Sequence, residues 1–174
     1  APQNFYQALQ LTYFVQLVLQ IESNGHSVSL GRLDQYLYPF YKEDIDAGKI
    51  NDEFVSELLE NTWIKLLSIN KIRPWSHTRF SAGGSLYQNV TIGGQTTDGK
   101  DAVNNLSFII LDSVGKMKLT QPNLSVRFHK NIVEKFMLKC MEVIEKGFGM
   151  PAFNNDEIVI ENLIKLGVEK DDAY

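Results

Sequence analysis

The sequence is poor in the residues and patterns on which several classes of protein depend. Cys140 is the single cysteine among 174 residues, so no internal disulfide can form, and this fits a reducing compartment such as the cytoplasm, where we expect the protein. No apolar run reaches the roughly 18 residues of a membrane span. The net charge of −4 comes without a basic block, so we expect neither a membrane nor a nucleic acid as partner.

Metal and thiol chemistry also find little support. His26, His77 and His129 lie far apart in segments of different type, and none of the short His and Cys spacings of metal sites occurs. We expect His77 on a surface loop and His129 at a strand end with its ring hydrogen-bonded. Cys140 falls mid-helix among apolar residues, which favours a buried structural thiol over a nucleophile. The sequence therefore predicts no metal site and no catalytic cysteine in this chain.

One motif suggests nucleotide binding. Residues 94–101, GQTTDGKD, match the P-loop pattern as far as Lys100 and lie between a predicted strand and a predicted helix. A P-loop needs a Ser or Thr hydroxyl after the lysine to bind Mg²⁺, and Asp101 stands there instead. We therefore expect a turn over these residues, with Asp101 as the N-cap of the next helix.

The sequence does contain the pattern of an α/β protein. With 44% hydrophobic and 22% charged residues, its composition is globular. Stretches with helical apolar spacing alternate with short β-branched or period-two stretches, and this alternation predicts a sheet of parallel strands. The predicted helices cover 3–21, 53–69, 101–116, 131–147 and 157–166, and the predicted strands cover 27–30, 86–92 and 123–129. We expect compact irregular structure over 31–41 and a loop over 73–84.

The first predicted helix is apolar nearly all round. Leu11, Phe14 and Val18 widen a stripe that already repeats every fourth residue, so we expect this helix to be deeply buried. The polar residues 23–25 then end it.

His26 and Ser27 follow at the junction between that helix and the first predicted strand. Strand ends in α/β folds are common places for ligands, and a neighbouring imidazole and hydroxyl suit a polyol or a carboxylate. The spacing alone nevertheless favours a polar capping turn, so the residues leave both interpretations open.

Four stretches together resemble one family. They are SNGHSVSLGRLDQYLYP (23–39), SAGGSLYQNVTIGGQ (81–95), LTQPNLSVRFH (119–129) and GFGMPAFNNDE (147–157). In this order they resemble the glycyl radical enzymes of the pyruvate formate-lyase-like superfamily, and among them the radical dehydratases of glycerol, propanediol and trans-4-hydroxyproline. The resemblance implies an α/β fold that is a partial piece of a ten-stranded glycyl-radical-enzyme barrel. Residues 1–174 would then be a single internal fragment of a larger pyruvate formate-lyase-like domain.

The resemblance also implies a mechanism. In the family, an activating enzyme of the radical S-adenosylmethionine type installs a glycyl radical, which passes to a cysteine thiyl that takes a hydrogen atom from a small-molecule substrate. The family's Gly-Cys-Val/Ile-Glu loop and its radical glycine loop are absent from these 174 residues, and Cys140 does not match the catalytic position. We expect the cysteine loop a few residues beyond Tyr174. The fragment alone should bind no cofactor and have no activity.

Site residues follow from the same resemblance. The His-Ser pair that contacts substrate hydroxyls in the dehydratases matches His26 and Ser27, and a second loop that faces the pocket in some members matches Ser81 and Tyr87. The parent protein is expected to be a homodimeric dehydratase that works with its activating enzyme, whereas the isolated fragment should self-associate. Three alternatives remain open at this point: a fragment of a formate C-acetyltransferase, a non-catalytic domain that kept the scaffold, and a nucleotide-binding module.

Overall fold

A computed structural model describes residues 1–23, 27–72, 74–81 and 86–174, apart from the side chain of Ser81. Helices and strands alternate along the described chain. The helices are α1 (Phe5–Ser23), α2 (Leu33–Tyr36), α3 (Tyr38–Asp46), α4 (Asp52–Leu67), α5 (Trp75–Ser81), α6 (Asn105–Met117), α7 (Glu134–Ile144), α8 (Asp156–Lys165) and α9 (Lys170–Ala173). The strands are β1 (Ser29–Arg32), β2 (Asn89–Gly93), β3 (Asn123–Phe128) and β4 (Ala152–Asn155).

The four strands form one parallel sheet in the order β1-β2-β3-β4. Ser29 pairs with Asn89, which in turn pairs with Asn123, so the first three strands begin at the same edge. The predicted parallel α/β sheet is confirmed. The prediction missed β4, because AFNN is a four-residue strand without an apolar alternation long enough to identify it.

The two faces of the sheet differ. Val90, Ile92, Leu124 and Val126 are fully buried and share one core with the apolar faces of α4, α6 and α7. Trp63 of α4 lies in that core. The alternate side chains Asn89, Thr91 and Ser125 are polar, and the period-two pattern of each strand places them on the opposite face. One face of the sheet is therefore apolar and covered by helices, and the other is polar.

Two helix starts differ from the predictions. α4 begins at Asp52, one residue before the predicted start, and Asn51 caps it, since its side chain accepts a hydrogen bond from the N–H of Phe54. Asn104 caps α6 in a reciprocal capping box with Ser107, so the predicted role of Asp101 as N-cap is wrong. The Asp101 carboxylate is engaged elsewhere in the fold, as described below.

The N-terminal helix differs most from its prediction. Its buried residues include Gln16 and Gln20, whereas Leu11, Phe14 and Val18 are about half exposed. The expected deep burial on all sides is therefore wrong. On this inward face the Gln16 amide donates to the buried Gln88, and apolar periodicity carries no information about such a partner. In the described part of the chain no helix combines the length and hydropathy that crossing a membrane requires.

Two segments predicted to be irregular contain helices. Residues 31–41 hold α2 and the first four residues of α3, and Pro39 sits in the first turn of α3, where a proline needs no N–H partner. Residues 75–81 form α5 directly after Pro74, within the predicted loop. In both segments the proline marks the start of a helix rather than a break, and this accounts for the errors.

Candidate functional site

Ser27 and Tyr87 lie at the starts of two neighbouring strands, at the amino-terminal edge of the sheet. Each precedes a strand by two residues, and the N–H of Ser27 donates a hydrogen bond of 2.8 Å to the carbonyl oxygen of Leu86. Sequence reasoning pointed to a strand end, and the structure specifies the amino ends of β1 and β2 rather than the carboxyl ends that α/β folds usually use. His26 lies outside the described residues. Ser81 is the last residue of α5, and its side chain is not described.

Both residues adopt the left-handed backbone conformation. Ser27 has φ of 62° and Tyr87 has φ of 56°. For a residue with a Cβ atom this conformation costs about 1–2 kcal/mol, and residues in such conformations concentrate at functional sites. Only one other non-glycine residue of the described chain, Lys118, shares it. Two left-handed residues at neighbouring strand starts, with a hydrogen bond from Ser27 to the residue before Tyr87, therefore mark this edge as a candidate site.

The residues on either side of Tyr87 are buried, whereas its own side chain is exposed. Leu86 and Gln88 on either side are buried, whereas the Tyr87 side chain is 61% exposed. Ser27 is also exposed. The Ser27 hydroxyl and the Tyr87 phenol are thus exposed groups beside buried residues, and such groups suit recognition of a small polar molecule.

A row of polar side chains continues from this edge along the polar face of the sheet. The Ser125 hydroxyl donates to Asn89 Oδ1 at 3.1 Å, and Asn89 Nδ2 donates to Thr91 Oγ1 at 3.3 Å. The Ser29 hydroxyl lies 3.5 Å from the carbonyl oxygen of Asn89. This face therefore offers hydroxyl and amide groups, not an apolar surface, to whatever covers it.

A second polar cluster lies at the carboxyl-terminal edge of the sheet. Arg127 of β3 forms an ion pair of 2.5 Å with the fully buried Asp156, whose other oxygen accepts from the N–H of Gln95 at 3.0 Å. The Asp34 carboxylate accepts from the N–H of Gly93 at 2.8 Å and from Ser107. Burial raises the pKa of the Asp34 carboxyl above its usual value, against the effect of these hydrogen bonds.

Two arginines of this second cluster hold the last described residue. Nη1 of Arg32 and Nη1 of Arg127 each donate to the carbonyl oxygen of Tyr174 at 2.7 Å. Arg32 also donates to the carbonyl oxygens of Gly93 and Gln95. A Cβ atom at Gly93 would lie 2.9 Å from the carbonyl oxygen of Arg127, so the close approach of these strands requires glycine there. The hydrogen bonds of this cluster hold Tyr174 against the carboxyl-terminal edge of the sheet.

The P-loop-like segment shows no free phosphate site. Lys100 pairs with Asp98 within its own turn, and Thr96 bonds to Lys100. The Asp101 carboxylate accepts from the N–H of Val133 at 2.8 Å and lies 3.3 Å from Nε2 of His129. These interactions replace the predicted capping role and support the rejection of a nucleotide site.

The other sequence-predicted groups behave as structural residues. The His129 side chain is buried, and its Nδ1 accepts from the N–H of Asn131, so both ring nitrogens have partners, as predicted. His77 lies in α5, not in a loop. The Cys140 thiol is buried, as predicted, and this burial raises its pKa to about 12. Among the described residues no group of His, Cys, Asp and Glu is arranged to hold a metal ion.

The fold and the candidate site together define a class of protein: a parallel α/β sheet with helices on its apolar face and polar side chains on the other face. The family model for pyruvate formate lyase-like proteins matches residues 1–174, and the chain belongs to that family. The sequence is 60% identical over 177 residues to "Probable dehydratase YbiW" of Escherichia coli (strain K12), covering 99% of this chain and 22% of that protein.

Solved structures agree with this assignment. The chain matches the glycerol-bound B12-independent glycerol dehydratase of Clostridium butyricum with a TM-score of 0.93 and 42% identity, over 99% of this chain and 22% of that one. It matches the structure from the study of 1,2-propanediol dehydration in Roseburia inulinivorans with a TM-score of 0.94 and 40% identity, over 98% and 21%. The expected partial piece of a glycyl-radical-enzyme barrel is therefore confirmed. The chain spans about a fifth of the length of these relatives.

Sequence reasoning missed two groups of residues near the site. A buried cluster of glutamines (Gln16, Gln20, Gln88 and Gln121) lies behind Tyr87, and the arginine and aspartate cluster lies at the far edge. Gln88 had a weak signal, since its amide interrupts the apolar run of a predicted strand. Gln16 and Gln20 had none, because glutamine at regular helical spacing is typical of a solvent-exposed face.

Proposed function

We propose that this chain forms part of the substrate wall of a glycyl radical dehydratase that eliminates water from a small hydroxylated molecule. His26, Ser27, Ser81 and Tyr87 are the residues proposed to face the substrate. The observation that carries the proposal is the hydrogen bond from Ser27 to Leu86, which places the left-handed, exposed Ser27 beside the strand start that carries the left-handed, exposed Tyr87. The polar row beyond them suits a substrate rich in hydroxyl groups.

The proposed roles follow from the chemistry of each group. The Ser27 hydroxyl can donate to one substrate oxygen and accept from another, and the His26 imidazole can do the same through its two nitrogens. The Tyr87 ring covers apolar carbon atoms, and its hydroxyl supplies a further donor. In such an enzyme the protein-borne radical supplies hydrogen-atom abstraction. The residues of this chain bind and orient the substrate.

The geometry of the far edge fits the same proposal. Arg32 and Arg127 hold the carbonyl oxygen of Tyr174 at the carboxyl-terminal edge, on the β1–β3 side of the sheet. The distance from this carbonyl oxygen to Ser27 and Tyr87 is about the length of β2, which is five residues or roughly 16 Å. An extended segment of about five residues covers that distance. We propose that the complete protein places its cysteine loop along the polar face in this way and that residues 1–174 alone have no radical activity.

The first test is to read the complete gene. A Gly-Cys-Val/Ile-Glu loop shortly after Tyr174 and a C-terminal radical glycine loop are expected. A complete gene that lacks the cysteine or the glycine would refute the enzymatic proposal and would favour the non-catalytic domain that kept the scaffold.

The second test measures substrate binding in the complete protein before activation. Calorimetric titration with propane-1,2-diol, glycerol and trans-4-hydroxy-L-proline should identify a ligand. Ser27→Ala should weaken that ligand about 3–10-fold, the worth of one hydrogen bond. Ser68→Ala is the matched control, since its exposed hydroxyl bonds only to Lys65 at the end of α4. Equal affinities for wild type and Ser27→Ala would remove Ser27 from the site.

A companion variant tests the histidine. His26→Ala should raise KM or abolish turnover in the activated protein while leaving the glycyl radical signal in electron paramagnetic resonance intact. Unchanged kinetics would remove His26. Turnover of pyruvate and coenzyme A in place of the hydroxylated compounds would favour the formate C-acetyltransferase alternative.

A further inference from the structure

A cluster of buried glutamines lies directly behind the proposed substrate wall. Gln16 and Gln20 lie one turn apart on the inner face of α1, Gln88 follows Tyr87, and Gln121 precedes β3. All four are at most 2% exposed. Burying four amides is unfavourable unless they are hydrogen-bonded, so a cluster of this kind needs a structural or functional reason.

Gln88 is the centre of the cluster, and each of its polar groups has a partner. Its side-chain amide donates to the carbonyl oxygen of Leu66 at 2.8 Å and accepts from Nε2 of Gln16 at 3.0 Å. Its backbone N–H donates to Oε1 of Gln121 at 2.7 Å, and its carbonyl oxygen accepts from the N–H of Asn123 at 2.8 Å. Gln88 therefore joins α1, α4 and the start of β3 at one point.

The neighbours of Tyr87 are thus fixed on both sides. Leu86, on one side, is buried and accepts the hydrogen bond from Ser27. Gln88, on the other side, is held by four hydrogen bonds. The left-handed conformation of Tyr87 is unfavourable for a residue with a Cβ atom, so it persists only where the surroundings impose it. The fixed flanks impose it here.

We infer that Gln88 is a positioning residue, which acts through the backbone to hold the Ser27–Tyr87 wall in its binding geometry, with Gln16 and Gln121 as its supports. This inference rests on the proposed function for the meaning of the wall. Gln88 itself is fully buried and contacts no substrate. The hydrogen bonds of its amide fix the backbone conformation on one side of the exposed Tyr87. An apolar residue of the same size could not form these bonds.

The cluster is not saturated. Both amide atoms of Gln20 and Oε1 of Gln16 are buried and have no hydrogen-bond partner among the residues that the structure describes. Since these groups belong to residues four apart on one helix face, a single buried water could serve them. Such a water would complete the support behind Gln88.

The test uses the complete protein before activation and the diol or amino acid identified by calorimetry. Gln88→Leu should weaken binding at least tenfold. Gln16→Leu, which removes one support and keeps Gln88, should weaken it severalfold and serves if Gln88→Leu does not fold. Ser113→Ala is the matched control. It breaks the buried 2.8 Å hydrogen bond from Trp63 on the apolar side of the sheet, so it should lower Tm without changing affinity.

A double-mutant cycle separates positioning from general destabilisation. If Gln88 acts through the wall, Gln88→Leu should weaken binding less than threefold in a Ser27→Ala, Tyr87→Ala background. Full additivity, or an unchanged Kd in Gln88→Leu alone, overturns the inference while leaving the proposed function intact. Absence of any ligand for the wild type overturns the proposed function instead.

A crystal structure of the Gln16→Leu or Gln88→Leu protein provides a readout that does not depend on a ligand. Tyr87 should leave the left-handed region, and the Ser27–Leu86 hydrogen bond should lengthen or break. A Tyr87 φ that stays near 56° in both variants overturns the inference, whatever the binding results.

Discussion

The outer face of α1 predicts how the isolated 174-residue chain behaves in solution. Leu11, Phe14, Val15, Val18 and Leu19 are between 43% and 59% exposed and form one stripe at helical spacing. An exposed apolar stripe of this size is unusual for a monomeric protein. We expect the isolated chain to self-associate through it, and charges placed on the stripe should prevent this.

The magnitude follows from the exposed fractions. Full burial of such a side chain is worth about 1.5–3 kcal/mol, so the exposed half of each is worth about 1 kcal/mol and the stripe about 5 kcal/mol per chain. Two chains together gain about 10 kcal/mol, against roughly 4–15 kcal/mol lost on association. At the lower end of that cost, about 4–6 kcal/mol, the net gain of about 4–6 kcal/mol corresponds to a Kd of about 40 μM to 1 mM. Val15→Glu with Val18→Glu removes about 4 kcal/mol per dimer, which raises Kd about 1000-fold.

Sedimentation velocity over a range of concentrations is the assay. The wild-type chain should shift to larger species as its concentration rises, and the Val15→Glu, Val18→Glu chain should remain monomeric. Asn131→Glu with Asn162→Glu is the matched control, because it adds the same charge at two exposed positions outside α1. A wild-type chain that stays monomeric at about 1 mM, the upper end of the expected Kd range, contradicts the reasoning. The reasoning is also contradicted if the Val15→Glu, Val18→Glu chain associates as strongly as the wild-type chain.

Further predictions concern buried titratable groups and are best measured in the monomeric α1 variant. Because burial raises the pKa of Asp34, the folded state keeps this proton to higher pH than the unfolded state; its contribution to the free energy of unfolding is complete below pH about 4 and is lost as pH rises through the folded pKa. In the Asp34→Asn variant the free energy of unfolding measured with urea should therefore fall less as the pH rises above 4. At pH 8 this variant should be about 1–3 kcal/mol more stable than the parent. A variant that is less stable than the parent at pH 8 would show that Asp34 is ionised and well paired. The Cys140 thiol, with its pKa raised to about 12, should resist a maleimide at pH 8 until urea unfolds the chain, and rapid labelling of the native protein would contradict its burial.

Local pattern was enough to predict the class of fold. The strands around Val90 and Leu124 and the helices around Trp63 and Ile110 carry periodicities of two and of 3.6 residues, which depend only on near neighbours in the chain. The resemblance of four motifs then identified the family correctly. Boundaries were less accurate where one cap residue competes with another, as at Asp101 and Asn104, because the choice depends on a partner distant in sequence.

Only the tertiary structure decided which groups meet. Ser27 and Tyr87 are 60 residues apart, and a hydrogen bond to Leu86 between two strand starts brings them together. α1 shows the same limit, since its composition predicts burial but not that Gln16 would face the core. The sequence by itself determined the elements and the family, because each is encoded in short segments. Long-range contacts, which no local pattern specifies, determine the rest. They place Gln16 and Gln20 in the interior, Ser27 and Tyr87 at one edge, and Arg32 and Arg127 against Tyr174.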